Sequence, residues 1–203
     1  MVAKRKPDTA QGEWQPQRRR FSIDEFDRMI RAGVVREGER VELLDGEVVC
    51  MAAMGTRHAA RLRWLQNWFG KRLPDTAMLS SQLPVRVSSG SLLEPDLAIL
   101  RVREDMYAGS HPDASDILLL IEVSDTSIGI DRNAKLPRYA AAGIVESWIF
   151  DIGGDRALIH RRPRGRRYTD IQTVQRGGTL APLAFPELTI KLDDVLGPPA
   201  SQA

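Results

Sequence analysis

Cysteine is almost absent from this chain. Cys50 is the only one among 203 residues, which excludes an internal disulfide and any Cys-based zinc site. It lies in an apolar run (EVVCMA), where it is expected to pack rather than react. No stretch approaches the roughly 18 uninterrupted apolar residues of a membrane span, so no membrane partner is expected. The amino terminus, MVAKRKPDTAQGEWQPQRRR, has basic residues but no apolar run of a secretory signal, and a cytoplasmic location follows as the expectation. Zinc-finger spacing, a nucleotide-binding glycine motif, a serine-nucleophile elbow and internal repeats are also missing.

The formal net charge of +2 hides an uneven distribution. Residues 1–20 hold six Lys/Arg against Asp8 and Glu13, which leaves residues 21–203 at minus two. Within that body, 156–168 (RALIHRRPRGRRY) carries six arginines and no acid, so everything else sums to minus eight. A polyanion-binding surface is therefore expected in those two stretches alone.

With 42% hydrophobic residues the chain can bury one sizeable core. Residues 1–20 lack apolar periodicity and are expected to form a disordered basic arm, 21–196 one domain, and 197–203 a flexible tail. Ser22 and Glu25 form a capping box opening a helix that Gly33 ends. Arg40 to Ala52 predicts a hairpin around Asp45-Gly46. Leu62, Leu65, Trp68 and Phe69 predict an amphipathic helix over 55–73. Gln82–Ser88 and Leu92–Arg101 predict a second hairpin, and Ile117–Val123 a strand covered on both faces. A helix is expected over 131–142, with Pro137 forcing either a late start near Lys135 or a kink. Glu146–Asp151 is a further strand, and Arg156–Arg162 and Arg167–Val174 flank the arginine loop. Leu188–Leu192 adds a short last piece.

Two of these strands carry an acid each, Asp96 and Glu122. A carboxylate inside an apolar strand costs several kcal/mol of desolvation unless it is paired, protonated or cation-bound. Two such acids on adjacent strands point to a divalent metal. Their hard oxygens suit Mg²⁺ or Mn²⁺, with the Val123 carbonyl as a possible third ligand. Glu42, in the first hairpin, is either an exposed edge acid or part of the same site. His58 is either a catalytic or phosphate-contacting group or, if nothing pairs with it, a half-exposed histidine near a helix start.

The order helix, strand, strand, strand, helix, strand over 56–151, with the strings VELLDGEVV, EPDLAIL, LLIEVSDTS, DRNAKLPRYAAAG and ESWIFD, resembles the PD-(D/E)XK nuclease superfamily. The likeness is greatest to a bacterial restriction endonuclease-like branch classed as a domain of unknown function, and it covers about residues 21–196. The resemblance implies an α/β fold: an αβββαβ core whose central mixed sheet is flanked by helices, with an added N-terminal helix and hairpin and a C-terminal β-hairpin. Pro95-Asp96 matches the PD half and Glu122-Val123-Ser124 stands where (D/E)-X-K would be. Ser124 departs from the pattern. In this branch the lysine is commonly relocated to the next helix, where Lys135 matches it, and Glu42 matches an acid preceding the core.

The resemblance thus implies a metal-dependent nuclease, a DNA endonuclease above all, with Asp96, Glu122, Lys135 and Glu42 as catalytic residues. Metal ligation falls to Asp96, Glu122 and Val123. Ser124, Asp131 and His58 are candidates to support them, and Arg161, Arg162, Arg164, Arg166 and Arg167 are candidate nucleic-acid contacts. The alternative is a nuclease-fold protein without turnover that acts by DNA binding or self-association, which the missing lysine at 124 and the acidic body favour. A homodimer is expected because duplex cutters need two active sites and the helix near 56–73 is rich in aromatics.

Overall fold

The computed structural model describes residues 18–51, 53–125 and 127–198. All but the last three residues of the expected basic arm, and the expected tail beyond Pro198, lie outside them.

The first helix, α1 (Ile23–Arg31), begins as its capping box dictates. The Ser22 hydroxyl accepts from the Glu25 N–H at 3.2 Å while the Ser22 N–H donates to Glu25 at 3.0 Å. A hairpin, β1 (Val41–Leu44) and β2 (Glu47–Cys50), follows, turning through Asp45 and Gly46 at φ 49° and 82°. Next come α2 (Thr56–Gly70), β3 (Ala77–Ser81), β4 (Val85–Ser88), β5 (Ser91–Leu93), β6 (Leu97–Arg101) and β7 (Ile117–Ser124). A helical segment then runs through α3 (Ile128–Ile130), a π-helical turn (Asp131–Lys135) and α4 (Leu136–Ala141). The chain ends with β8 (Glu146–Asp151), β9 (Arg156–Arg164), β10 (Arg167–Gln175), β11 (Thr179–Leu180), β12 (Ile190–Lys191) and α5 (Leu192–Leu196).

Six strands form a central mixed sheet in the order β10-β9-β8-β7-β6-β3, and only the β7–β8 pair is parallel. A parallel pair needs a crossover, which the segment from α3 to α4 supplies. β7 lies in the interior of the sheet, and alternation along it serves two cores. Leu119, Ile121 and Val123 join Leu62, Leu65 and Phe69 of α2 and Leu192, Val195 and Leu196 of α5 on one face. On the other face, Leu120 meets Leu136, Tyr139 and Ala140 of α4. Each fully buried leucine or phenylalanine contributes about 2 kcal/mol by leaving water. A smaller sheet, β2-β1-β5-β4, packs Val41, Leu43 and Leu92 under Ile23 and Phe26 of α1.

Four expectations are corrected. Leu92–Arg101 is not one strand: it breaks over Glu94, Pro95 and Asp96, so β5 enters the small sheet and β6 the large one. Pro95 has no N–H for a ladder, and the break frees the backbone at Asp96. The core strand after α2 is β3, whereas the alternating run near 85–88 joins the small sheet; AMLSS lacks the β-branched pattern that would have announced it. The helix expected at 131 begins at Ile128 and passes through the π turn, in which the Leu136 N–H reaches back five residues to the Asp131 carbonyl. This accommodates Pro137, whose nitrogen cannot donate. Cys50 is exposed, because β2 is the edge of the small sheet.

The aromatics that motivated a dimer pack within the chain: Phe69 is fully buried, and Trp64 and Trp68 lie half-buried against the α2 core. Among the described residues, no helix is long and apolar enough to cross a membrane.

Candidate functional site

Residues from β1, the β5–β6 break, the end of β7 and the π turn converge on one pocket. In β1, Val41 and Leu43 face the α1 core, so alternation turns Glu42 to the opposite side. In β7 the same alternation sets Glu122 on the α4 face, where Lys135 and Tyr139 stand one turn apart. All the charged members are buried: Glu42 is 3%, Asp96 7%, Glu122 2% and Lys135 2% exposed.

The Lys135 ammonium is the hub. Its Nζ lies 3.0 Å from Glu42 Oε1 and 3.3 Å from Glu122 Oε1, and donates to the Glu94 carbonyl at 3.2 Å. Glu42 Oε1 also accepts the Glu94 N–H at 2.8 Å, so one backbone peptide region anchors both partners. The Tyr139 hydroxyl donates to Glu122 Oε1 at 2.6 Å, and Glu122 Oε2 receives the Asp96 N–H at 3.4 Å. Asp96 in turn accepts the Val123 N–H at 2.8 Å on one oxygen and lies 2.9 Å from His58 Nε2 on the other. The proline-induced break before β6 is what lets an aspartate sit between two strands and receive these donors.

The structure therefore brings together Asp96, Glu122, Lys135, Glu42 and His58, with Val123 joined through its N–H. Ser124 and Asp131 pair with each other instead, and Ser127 adds a second bond to Asp131 at 2.8 Å. Those bonds tie the end of β7 to the start of the π turn and so aim Lys135 inward. Sequence reasoning missed Tyr139 and the backbone of Glu94. Tyr139 carried a signal, since it follows Lys135 by four residues; Glu94 carried none, since its peptide groups do the work.

The pocket has a volume of about 260 Å³. Six carboxylates line it, those of Glu42, Glu94, Asp96, Glu122, Asp125 and Asp131, against the permanent cations of Arg40 and Lys135. Burial, the largest influence, pushes the Glu122 carboxyl up to about 8. Lys135 and the Tyr139 hydroxyl oppose that rise, and the charges of Asp131 and Asp96 add to it. Burial alone would depress Lys135, but Glu122, Glu42 and Asp131 outweigh it and hold the ammonium above its ordinary range. Burial and the nearby Glu42 also raise Glu94. Among the described residues, no three His, Cys, Asp or Glu side chains form a ready-made metal cluster.

The arginine hairpin is apart from this pocket, since β9 and β10 lie two and three strands from β7. Arg161 turns inward, bonding the fully buried Glu146 at 2.7 Å and the Ala181 carbonyl at 2.9 Å. Arg162, Arg164, Arg166 and Arg167 are exposed at the tip.

A solved structure from Anabaena variabilis ATCC 29413, described as "a putative nuclease belonging to DUF820", superposes with a TM-score of 0.70 at 14% identity, covering 87% of this chain and 97% of that one. At that identity the likeness establishes a shared fold. No curated protein matches the chain. Residues 23–193 match the Uma2 family model, described as "Putative restriction endonuclease", a span that contains every element from α1 to β12 and all five converging side chains, and the chain belongs to that family.

Proposed function

We propose that this protein is a divalent metal-dependent nuclease that hydrolyses phosphodiester bonds, acting as an endonuclease on DNA. The observation carrying this reading is the convergence of the Glu42 and Glu122 carboxyl groups on the Lys135 ammonium, 3.0 and 3.3 Å from it, beside Asp96, in a pocket with a surplus of buried carboxylates. Such a surplus is stable only if protons or a cation offset it. The upward shift of Glu122 marks where that compensation is needed.

The donor set fits a hard cation. Asp96 and Glu122 supply carboxylate oxygens, and the Val123 carbonyl, next to Glu122 on β7, is the third candidate donor, a set that suits Mg²⁺ or Mn²⁺. Once bound, such an ion supplies a Lewis acid and an activated water. The chain's own groups do the rest. Lys135, held charged, serves as a donor to the developing negative charge on the phosphate rather than as a base. Glu42 and the Glu94 carbonyl fix its amine, His58 and the Val123 N–H orient Asp96, and Tyr139 orients Glu122. The buried walls keep bulk water from screening these contacts.

Plasmid nicking in Mg²⁺ or Mn²⁺, run beside calorimetric metal titration, tests the reading. The wild type is expected to bind metal and nick, and Asp96→Ala to do neither. Equal inertness of both proteins, with no metal bound by either, would remove it.

A further inference from the structure

The arginine hairpin and the amino-terminal arm are not the only basic stretches. Between Glu47 and Asp75 the chain has five Lys/Arg and no acid, and α2 occupies the middle of that interval. Arg57, Arg61, Trp64, Trp68 and Arg72 recur at spacings of four, three, four and four, which sets them along one side of the helix. Arg57, Arg63, Lys71 and Arg72 are exposed, and Arg61, Trp64 and Trp68 are half-buried. The two indoles lie nearly parallel, 18° between planes and 6.3 Å between centroids, and the Arg72 guanidinium sits 4.8 Å over the Trp68 ring.

Beside this side of α2 runs an open cleft of about 800 Å³. Trp64, Trp68, Lys71 and Arg72 line one wall, and Arg176 and Asp194 stand on the other. Asp193, also on that wall, is paired with Arg176 at 3.2 Å. Arg61 is crowded at the edge: its Nε is buried with no hydrogen-bond partner among the described residues, and a Cβ at Gly197 would strike its guanidinium. Burial first, then the nearby Arg57 and Arg176, lower its affinity for its proton.

The same helix begins at the candidate site. Arg57 bonds Asp125 at 3.2 Å and His58 meets Asp96 at 2.9 Å, both within the first turn. At 1.5 Å per residue, the 15 residues of α2 extend about 22 Å away from it. That is about six phosphate spacings of a helical strand.

We propose that this side of α2, with its cleft, binds a single-stranded stretch of nucleic acid and leads it to the Asp96–Glu122 pocket, an inference that rests on the nuclease reading. Cations spaced along the helix match a phosphate backbone. Indole faces suit unstacked bases, whereas a duplex keeps its base faces covered.

The test is binding of a short fluorescein-labelled oligothymidylate, followed by anisotropy and tryptophan emission in EDTA, where no cleavage occurs. The expected result is quenched tryptophan emission and preference over a blunt duplex. In the triple variant Arg57→Gln, Lys71→Glu, Arg72→Glu, affinity falls at least about tenfold and the salt slope by about 2. All three residues are exposed, and an unchanged thermal melt checks that the fold persists. Asp96→Ala is expected to bind the oligonucleotide like the wild type. The inference is overturned if the triple variant binds as tightly as the wild type, or if the duplex is preferred. A wild type that binds through α2 but takes no metal and cuts nothing upholds the strand-binding face while removing the nuclease reading; cleavage unaffected by the triple variant does the reverse.

Discussion

The pocket at the end of β7 and the tip of the β9–β10 hairpin both concentrate charge, yet they handle it in opposite ways. At the tip, Arg164, Arg166 and Arg167 are exposed and leave their charge to solvent. In the pocket, Glu42, Glu122 and Lys135 are almost wholly withdrawn from water and must answer one another. Charge held in solvent costs little and contributes little. Charge held in the interior costs several kcal/mol per ion, so every partner becomes necessary. Clusters of this kind are common at functional sites, and the proposed reading gives this one its role.

Substitutions should therefore separate the two regions sharply. The largest effect is expected for Lys135→Ala, which strands the buried Glu42 carboxylate and takes a donor from Glu122 and from the Glu94 carbonyl: urea unfolding should show a loss of about 3–5 kcal/mol. If it loses less than 1 kcal/mol, the three groups are not a coupled unit. Arg161→Ala comes next, since Arg161 belongs to the interior although its neighbours do not. Removing it leaves Glu146 with only the Trp148 and Leu183 N–H donors, and about 2–3 kcal/mol should be lost.

The pH dependence of stability follows from Glu122. Its folded-state value, about 8, lies above the ordinary 4.5, so between these limits the native chain holds a proton that the unfolded chain has released. Below about 6.5 the buried His160, whose value is lowered to about 4, offsets this by binding a proton only in the unfolded chain, so stability should fall as pH rises from about 6.5 to 8, by about 1 kcal/mol per unit. Glu122→Gln should flatten the slope, as should saturating Mg²⁺ under the proposed reading, when denaturation midpoints are compared across pH. The smallest effect is expected at the hairpin tip: Arg164→Ala, Arg166→Ala and Arg167→Ala should each change unfolding free energy by less than about 0.5 kcal/mol.

Much of this arrangement was legible in the chain. Glu122 stood out because LLLIEVS is apolar on both sides of it, and a solvated face would have alternated. Lys135 was readable only beside DRNAK and the acids, since a lone helical lysine says nothing of burial. Tertiary packing hid the rest. Pro95 broke a strand whose composition favoured continuity, β3 lacked β-branched residues, and the π turn rearranged a helix whose start had been placed at Asp131. The bond between His58 and Asp96 spans 38 residues, and no local spacing announces it. On α2 the apolar spacing is the strong local signal, and the cations beside it gain meaning only from the cleft that tertiary packing places next to them.

Calorimetric titration of Mn²⁺ into the wild type and Asp96→Ala tests the central claim most directly. The account predicts that the wild type binds and releases heat, and that the variant gives only the heat of dilution. Indistinguishable titrations of the two proteins would contradict it.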